Sequence, residues 1–453
     1  MIKTAIRALI IGIFFVCIAA STPLRMDGST SAAGRWPRQV FAHYMMCCPR
    51  AGPAATLADF RQDIEDAAAA GIDGFALNIG DWKVNQRYKA FTELMFRAAE
   101  GFGPRFRLFF SADQLSAEDS ADMLLAYANR PNYLRMAGRP VLSSFAGDAE
   151  WGRSLRKIVR ERANSELFLV PFYFAPSRRE PPTLVDIAAM AWMHRDLDGF
   201  FAFGTAAPYD ALARTIQREA KAWHANGQLF MAGIAPYYRG LLHNFRVFES
   251  DGYVGFVEQW RAAIDSGADW AQLVTWNDWG ESTYLAPIAQ GDAAIVDANQ
   301  WGMLPTHRGF LALSRFMSSW FKTGRQPSIE QEQVFLAYRL HPADAEGDRT
   351  PPKREMARPD GVAALTDRVS VLTLLREPAT AIVRIGGAVT RQDMPAGLAT
   401  MFAPLRPGSV EVTVERGGKA IGGLAGKLPV TTDGAIGNFN IYADSGPLSP
   451  SRR

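Results

Sequence analysis

Between Val40 and Lys322 the chain alternates short, uniformly apolar, β-rich runs with longer stretches of helical period, and this alternation narrows the available folds most. The strand-like runs are Val40–Met45, Gly74–Ile79, Phe106–Ser111, Pro140–Phe145, Leu167–Phe172, Gly199–Phe203, Leu229–Ile234 and Ala271–Trp276. They lack polar alternation, as strands do when a parallel sheet is covered on both faces. Helical patterns fill the intervals at Leu57–Ala70, Gln86–Glu100, Ala117–Ala128, Trp151–Ala163, Thr183–Met193, Tyr209–Ala225 and Tyr253–Ser266, with a last one at Thr306–Lys322. Thr56 and Ser116 stand where N-caps belong, and Gly71, Gly101 and Gly267 where helices stop. Eight strand–helix units predict an α/β fold, a (β/α)8 TIM barrel rather than an open sheet. A short echo, Asp73-Gly74-Phe75-Ala76 against Asp198-Gly199-Phe200-Phe201, fits repetition within it.

After Gly324 the helical period disappears. Val334–Leu340, Val369–Leu374, Ala379–Ile385, Leu398–Phe402, Val410–Glu415 and Gly437–Tyr442 read as short strands separated by Gly, Pro and Asp, which predicts a smaller all-β, sandwich-like C-terminal domain. At the other end, Lys3 and Arg7 precede an apolar run, Ala8–Ile18, and the small residues Ala19-Ala20-Ser21, the form of an export signal. The expected layout is therefore a signal at 1–20, a polar tail at 21–35, the barrel at 36–327, the β domain at 328–446 and a tail at 447–453. The run is short for a membrane span, which takes about 20 residues. A secreted or periplasmic protein without stable membrane association is expected once the signal is removed.

Composition sets the remaining bounds. The chain is 48% hydrophobic and 21% charged, enough apolar content for a large core, and its formal net charge of +3 offers no footprint for nucleic acid. Removal of the signal takes Lys3 and Arg7 with it and leaves the mature chain nearly neutral. Its remaining cysteines, Cys47 and Cys48, are adjacent, so no disulfide framework is available, and two separately packed thiols are the expectation ahead of a bridge between neighbours.

In a barrel the chemistry gathers where strands end. Those ends carry His43-Tyr44, Asn78 with Asp81, Asp113, Ser143, Tyr173, Tyr237-Tyr238 and Trp276-Asn277-Asp278-Trp279-Gly280-Glu281. HExxH, G-x-S-x-G and convergent histidines are missing from this set, which disfavours zinc hydrolysis and serine esterase chemistry and calls for neither metal nor cofactor. Carboxylates, amides and aromatics suit sugars, whose C–H faces stack on rings and whose hydroxyls need oriented partners. Cleaving a glycosidic bond takes two carboxyl groups, one protonated and one ionised, and Asp278 and Glu281 supply both from one loop. Asp113 fits a sugar-hydroxyl acceptor and a loop cap equally well, and His43 fits a core position as readily as a ligand. Asp73 and Asp198, at strand starts, fit structural roles, and Trp223 and Trp260 fit the core.

The blocks Val40-Phe41-Ala42-His43-Tyr44-Met45, Ala70-Gly71-Ile72-Asp73-Gly74-Phe75-Ala76-Leu77-Asn78-Ile79, Phe109-Phe110-Ser111-Ala112-Asp113 and Thr275-Trp276-Asn277-Asp278-Trp279-Gly280-Glu281-Ser282-Thr283-Tyr284 resemble glycoside hydrolase family 71, the endo-α-1,3-glucanases called mutanases. The C-terminal Val410-Thr413-Glu415-Arg416 and Asn438-Phe439-Asn440-Ile441-Tyr442 resemble its accessory domain. The resemblance implies an inverting hydrolase acting on an α-glucan polysaccharide, with Glu281 as general acid and Asp278 as the base that activates water. The carboxyls of such a pair stand roughly 6.5–9.5 Å apart. His43, Tyr44, Asn78, Asp113, Tyr237, Trp276, Asn277, Trp279 and Tyr284 are then the expected sugar-binding residues. Cys47-Cys48-Pro49 and the loops Arg178–Pro182 and Tyr237–Asn244 depart from the family pattern, which leaves the linkage open. An endo-α-mannosidase-like hydrolase and a non-catalytic carbohydrate-binding or polysaccharide-assembly protein are the competing expectations.

Overall fold

A computed structural model describes residues 36–240, 246–288, 293–295, 303–345, 348–349, 355–356, 360–432 and 439–449. The expected signal at 1–20, the tail at 21–35 and the last residues of the C-terminal tail lie outside them. Trp36–Arg453 forms one compact unit.

Eight parallel strands, β1 (Gln39–Met45), β2 (Gly74–Ile79), β3 (Arg107–Asp113), β4 (Arg139–Phe145), β5 (Phe168–Leu169), β6 (Gly199–Ala202), β7 (Leu229–Ile234) and β8 (Trp270–Leu273), pair in the order β5-β4-β3-β2-β1-β8-β7-β6. A short antiparallel strand, Arg135–Met136, adds to β4. The sheet curls on itself, because side chains far apart in this order meet. Phe168 on β5 lies 6.4 Å from Trp270 on β8, centroid to centroid, and Phe145 on β4 lies 4.9 Å from Phe203 just past β6. No ladder joins β5 to β6 among the described residues; a bond from Phe201 N to Pro171 O at 2.9 Å crosses that seam. β5 and β8 are both shorter than the sequence predicts.

Helices α1 (Leu57–Ala69), α2 (Gln86–Glu100), α3 (Ala117–Tyr127), α4 (Ala149–Ala163), α5 (Leu184–Met193), α6 (Tyr209–Ala225), α7 (Val254–Asp265) and α8 (Arg308–Thr323) follow the strands in turn. Thr183 and Asp186 form a capping box on α5, and Ser116 caps α3 through the Asp119 N–H. Trp223 on α6 and Trp260 on α7 are buried, as their spacing implied. None of the helices among the described residues is long and apolar enough to cross a membrane. The two Asp-Gly echoes are one device used twice. A Cβ on Gly74 would stand 1.9 Å from Arg107 O, and one on Gly199 2.6 Å from Leu229 O, so each strand start needs a bare backbone. Asp73 and Asp198 accept the N–H of Val40 and Leu169 on the preceding strands, which fixes register.

The C-terminal region builds two four-stranded antiparallel sheets. One orders β13 (Gly397–Pro404), β10 (Arg368–Leu375), β9 (Gln333–Arg339) and β16 (Ile441–Pro447); the other orders β12 (Ala388–Met394), β11 (Ala379–Ile385), β14 (Val410–Arg416) and β15 (Lys419–Ala425). Alternation along β9 divides its side chains between two cores. Val334, Leu336 and Tyr338 join the second sheet's apolar cluster, while Phe335 and Ala337 join the large core of the helices and parallel strands.

Candidate active site

Past Leu273 the chain leaves the sheet and folds Val274–Leu285 into a compact loop. Thr275 N donates to Thr283 O at 3.0 Å, Asp278 N donates to Thr275 Oγ1 at 2.8 Å, and Glu281 N donates to Asp278 Oδ1 at 2.9 Å. The loop is fastened to the segment after β1. Asn277 Oδ1 accepts Met45 N at 2.8 Å, and its Nδ2 donates to Met45 O and Cys48 O at 2.9 and 2.8 Å. Trp279 Nε1 donates to the same Cys48 carbonyl at 2.9 Å. That carbonyl belongs to a vicinal disulfide, since Cys47 and Cys48 are bonded to each other, which corrects the expectation of two separate thiols.

The two carboxyls on the loop meet different surroundings. Asp278 is pushed up to about 6, chiefly by burial and further by the charge of Asp113, while the Glu281 and Gly280 N–H groups pull the other way. Asp113, at the end of β3, is itself raised by burial, with Asn78 Nδ2 at 3.3 Å and Gln114 Nε2 at 3.4 Å opposing. Glu281 Oε1 accepts the Tyr238 hydroxyl at 3.2 Å, and the Arg246 guanidinium lies over the Tyr238 ring at 5.8 Å. Burial and the Glu281 charge both raise that phenol. His43 is enclosed between Phe201 and Phe203, held at Nδ1 by Gln272 Nε2 at 2.9 Å, and lowered to about 3 by burial, so it is neutral at pH 7. Two carboxyls in different surroundings on one loop, one raised by burial and the other hydrogen-bonded to a phenol, are a pair that acid–base hydrolysis of an acetal can use.

The sequence model of glycosyl hydrolase family 71 matches residues 37–451. This chain belongs to glycosyl hydrolase family 71. It is a glycoside hydrolase by that membership. A mutanase of Penicillium rubens is 25% identical over 445 residues, spanning 94% of this chain and 93% of the relative. A glucan endo-1,3-alpha-glucosidase of Schizosaccharomyces pombe is 28% identical over 404 residues, spanning 85% and 90%. Among solved structures, the GH99 endo-alpha-mannosidase from Bacteroides thetaiotaomicron is 14% identical with a TM-score of 0.49, over 64% of this chain and 99% of that one.

Within this family 71 site, several residues expected to touch sugar are occupied by the protein instead. Tyr44 is buried and gives its hydroxyl to Asp63 at 2.8 Å; Arg50 pairs with Asp63 at 3.0 Å, and Trp276 is enclosed beside the same carboxyl. Tyr237 donates to Phe439 O at 2.7 Å, so Tyr238, not Tyr237, is the tyrosine on Glu281. Tyr284 is fully buried, donates to Pro305 O at 2.5 Å and stacks on His307 at 4.0 Å. Asn277 and Trp279 are likewise enclosed, their polar atoms spent on the Cys48 turn. These six side chains shape the walls and hold the loop; the structure gives none of them an open face for stacking. Asp113 does lie close enough for its charge to raise Asp278, and Asn78 is bonded to Asp113.

Sequence reasoning passed over Glu219, on α6, and Arg246. Both line a cavity of about 250 Å³ that reaches Glu281 and Tyr238. A signal for Glu219 existed. Leu212, Thr215, Ile216, Ala220 and Trp223 mark the buried stripe of α6, and Glu219 falls on it where an apolar residue is ordinary. Arg246 follows the Tyr237–Asn244 loop and carries no periodic signal. Among the described residues, no three His, Cys, Asp or Glu side chains gather in a way that could hold a metal ion.

Proposed function

We propose that this family 71 hydrolase cuts α-1,3-glucan within the chain and with inversion, Glu281 protonating the leaving oxygen while Asp278 activates water. The observation that carries the reading is the contrast on one loop. Asp278 is raised to about 6 by burial and by the Asp113 charge, whereas Glu281 accepts the Tyr238 hydroxyl. A base with that proton affinity is ionised at neutral pH yet basic enough to accept a proton from water. In the step, Asp278 takes one proton from a water that bonds to the anomeric carbon, the bond to the bridging oxygen breaks, and the Glu281 proton passes to that oxygen. Asn78 and Asp113 orient hydroxyls at the floor, and His43 holds the aromatic floor through Gln272. The choice of substrate is supported by the names of the Penicillium and fission-yeast relatives.

The same reading takes the curled sheet as a (β/α)8 barrel, with Phe201 and Pro171 at its closing seam, and 328–446 as an accessory domain. It also takes 1–20 as a cleaved export signal, which makes the enzyme secreted or periplasmic. Anomer-resolved NMR in the first minutes of α-1,3-glucan digestion tests the mechanism. Inversion puts the new reducing end in the β form; an α form at the start overturns the role given to Asp278, and the absence of cleavage overturns the substrate.

A further inference from the structure

The cavity beside Glu281 lies where the parallel sheet has no ladder, between the ends of β5 and β6 and the helices α5 and α6. Phe172 and Phe203 line it from the sheet and Ile216 from α6, together with the buried Glu219 and the half-buried Arg246 and Glu281. Its volume is about 250 Å³. A buried water needs about 10–15 Å³ on this measure, so the space far exceeds what a packing defect or a single solvent molecule occupies.

Among the residues that line this chamber, Tyr173, Glu219 and Arg246 each keep a buried polar atom without a partner. Glu219 is only 7% exposed, and its Oε2 has no hydrogen-bond partner. Arg246 Nε is also buried without one. Burial alone pushes Glu219 up to about 8, so at neutral pH it is a neutral acid that can both donate and accept. An unpartnered carboxyl on the buried stripe of a helix is destabilising, and native structures keep such groups where something else satisfies them.

In an α-1,3-linked chain each internal ring is tied to its neighbours through C1 and C3. Its C4–C5–C6 edge, with the 4- and 6-hydroxyls, is free to point sideways out of the chain. In an α-1,4-linked chain O4 is taken, and that edge cannot enter a side chamber while the chain runs past. We propose that the cavity is a linkage-reading subsite: it receives the free C4–C5–C6 edge of a 3-linked glucose ring, with Glu219 and Arg246 hydrogen-bonding the hydroxyls of that edge. Phe172 and Phe203 then face the C–H groups of that edge. The inference rests on the α-1,3-glucan reading above and adds the residues that select the linkage.

The test uses the whole protein with Glu219→Leu and Glu219→Gln, assayed on α-1,3-linked gluco-oligosaccharides and on their 6-deoxy and 4-deoxy analogues. Glu219→Leu should raise KM for the natural oligosaccharide about tenfold with kcat within twofold, and Glu219→Gln, which still hydrogen-bonds, should stay within about threefold. The deoxy analogues should bind wild type weakly and lose nothing further in Glu219→Leu. An unchanged KM in a folded Glu219→Leu protein overturns the proposal, as does an equal loss on natural and deoxy substrates. A purely structural role would move the unfolding temperature without this split. Should wild type leave α-1,3-glucan uncut, the functional reading falls by itself. The cavity is then judged by soaking wild-type and Glu219→Leu crystals with methyl α-glucoside: sugar held by Glu219 sustains a sugar site, and an empty cavity in wild type overturns it.

Discussion

At the N-terminal ends of the parallel strands, Asp73, Asp198 and Asp269 each sit one residue before a strand. Each accepts, at 2.9 Å, the N–H of the second residue of the preceding strand: Val40, Leu169 and Phe230. All three also meet a basic side chain, Lys322 for Asp73, Arg139 and Arg156 for Asp198, and His224 for Asp269. At the C-terminal ends, Asp113 and Asp278 have only amide and N–H partners among the contacts described above, and they face one another. The same residue type is thus neutralised and used as a register pin at one end, and held close to a like charge at the other. The difference sets carboxylates that stabilise the fold apart from a pair whose burial and mutual repulsion cost stability, the pattern the proposed chemistry calls for.

The largest effect that could break this contrast is on turnover. Glu281→Gln and Asp278→Asn should each lower the rate of reducing-end release by about 10²–10⁴-fold while leaving the unfolding temperature equal or higher. Near-normal turnover in either variant would shift the chemistry to Asp113. At the opposite end, Asp198→Ala should cost about 2–3 kcal/mol in denaturant unfolding, because it strands Arg139, Arg156 and the Leu169 N–H, with kcat unchanged. A kcat loss without loss of stability would erase the distinction between the ends.

A pH profile sharpens the comparison further. As a base with an affinity near 6, Asp278 must be ionised, so kcat/KM should rise with pH through about 6. Asp113→Asn should move that limb to lower pH by removing the like charge. Stability should run oppositely. A carboxyl raised above its unfolded value favours folding while protonated, so its contribution is lost as pH climbs from about 4 to about 6. Asp278→Asn should gain on wild type above that window and match it below, as followed by thermal unfolding across pH. The smallest effect expected is from Asn277→Ala, which removes the clasp on Met45 and Cys48 and should lower kcat several-fold, with unfolding measured in parallel.

Much of the fold is written in local pattern. Gly74–Ile79, Gln86–Glu100, Tyr209–Ala225, Leu229–Ile234 and Ala379–Ile385 have the ends that periodicity predicts. Ala388–Met394 and Lys419–Ala425 escaped because they are edge strands of the outer sheet, with Arg391, Gln392 and Asp393 exposed and glycines within the second. Within Leu167–Phe172 only Phe168–Leu169 forms regular strand, although Val170 and Phe172 still donate to Leu142 and Ser144 of β4, and its other side lies on the seam, a fact of topology that no local signal carries. At the site, position along strands singled out Asp278, Glu281 and Asp113, and the structure sets Asp113 close enough to Asp278 to raise it and bonds the Glu281 N–H to Asp278. Aromatic type misled: Trp279 and Tyr284 look like sugar platforms until the Cys48 turn, Pro305 and His307 close over them.

The loop that carries Asp278 and Glu281 is backed by residues from the far end of the chain. His307, stacked on Tyr284, is held by Ile441 O at 3.1 Å, Tyr237 by Phe439 O, and Tyr253 by Asp444 O at 3.0 Å, all on or beside the last strand. Tyr237 and its partner carbonyl are 202 positions apart. During synthesis the loop bearing Asp278 and Glu281 leaves the ribosome well before the strand that braces it. A nascent or C-terminally clipped chain therefore carries both carboxyls of the proposed pair without the hydrogen bonds to Phe439, Ile441 and Asp444 that brace the residues behind them.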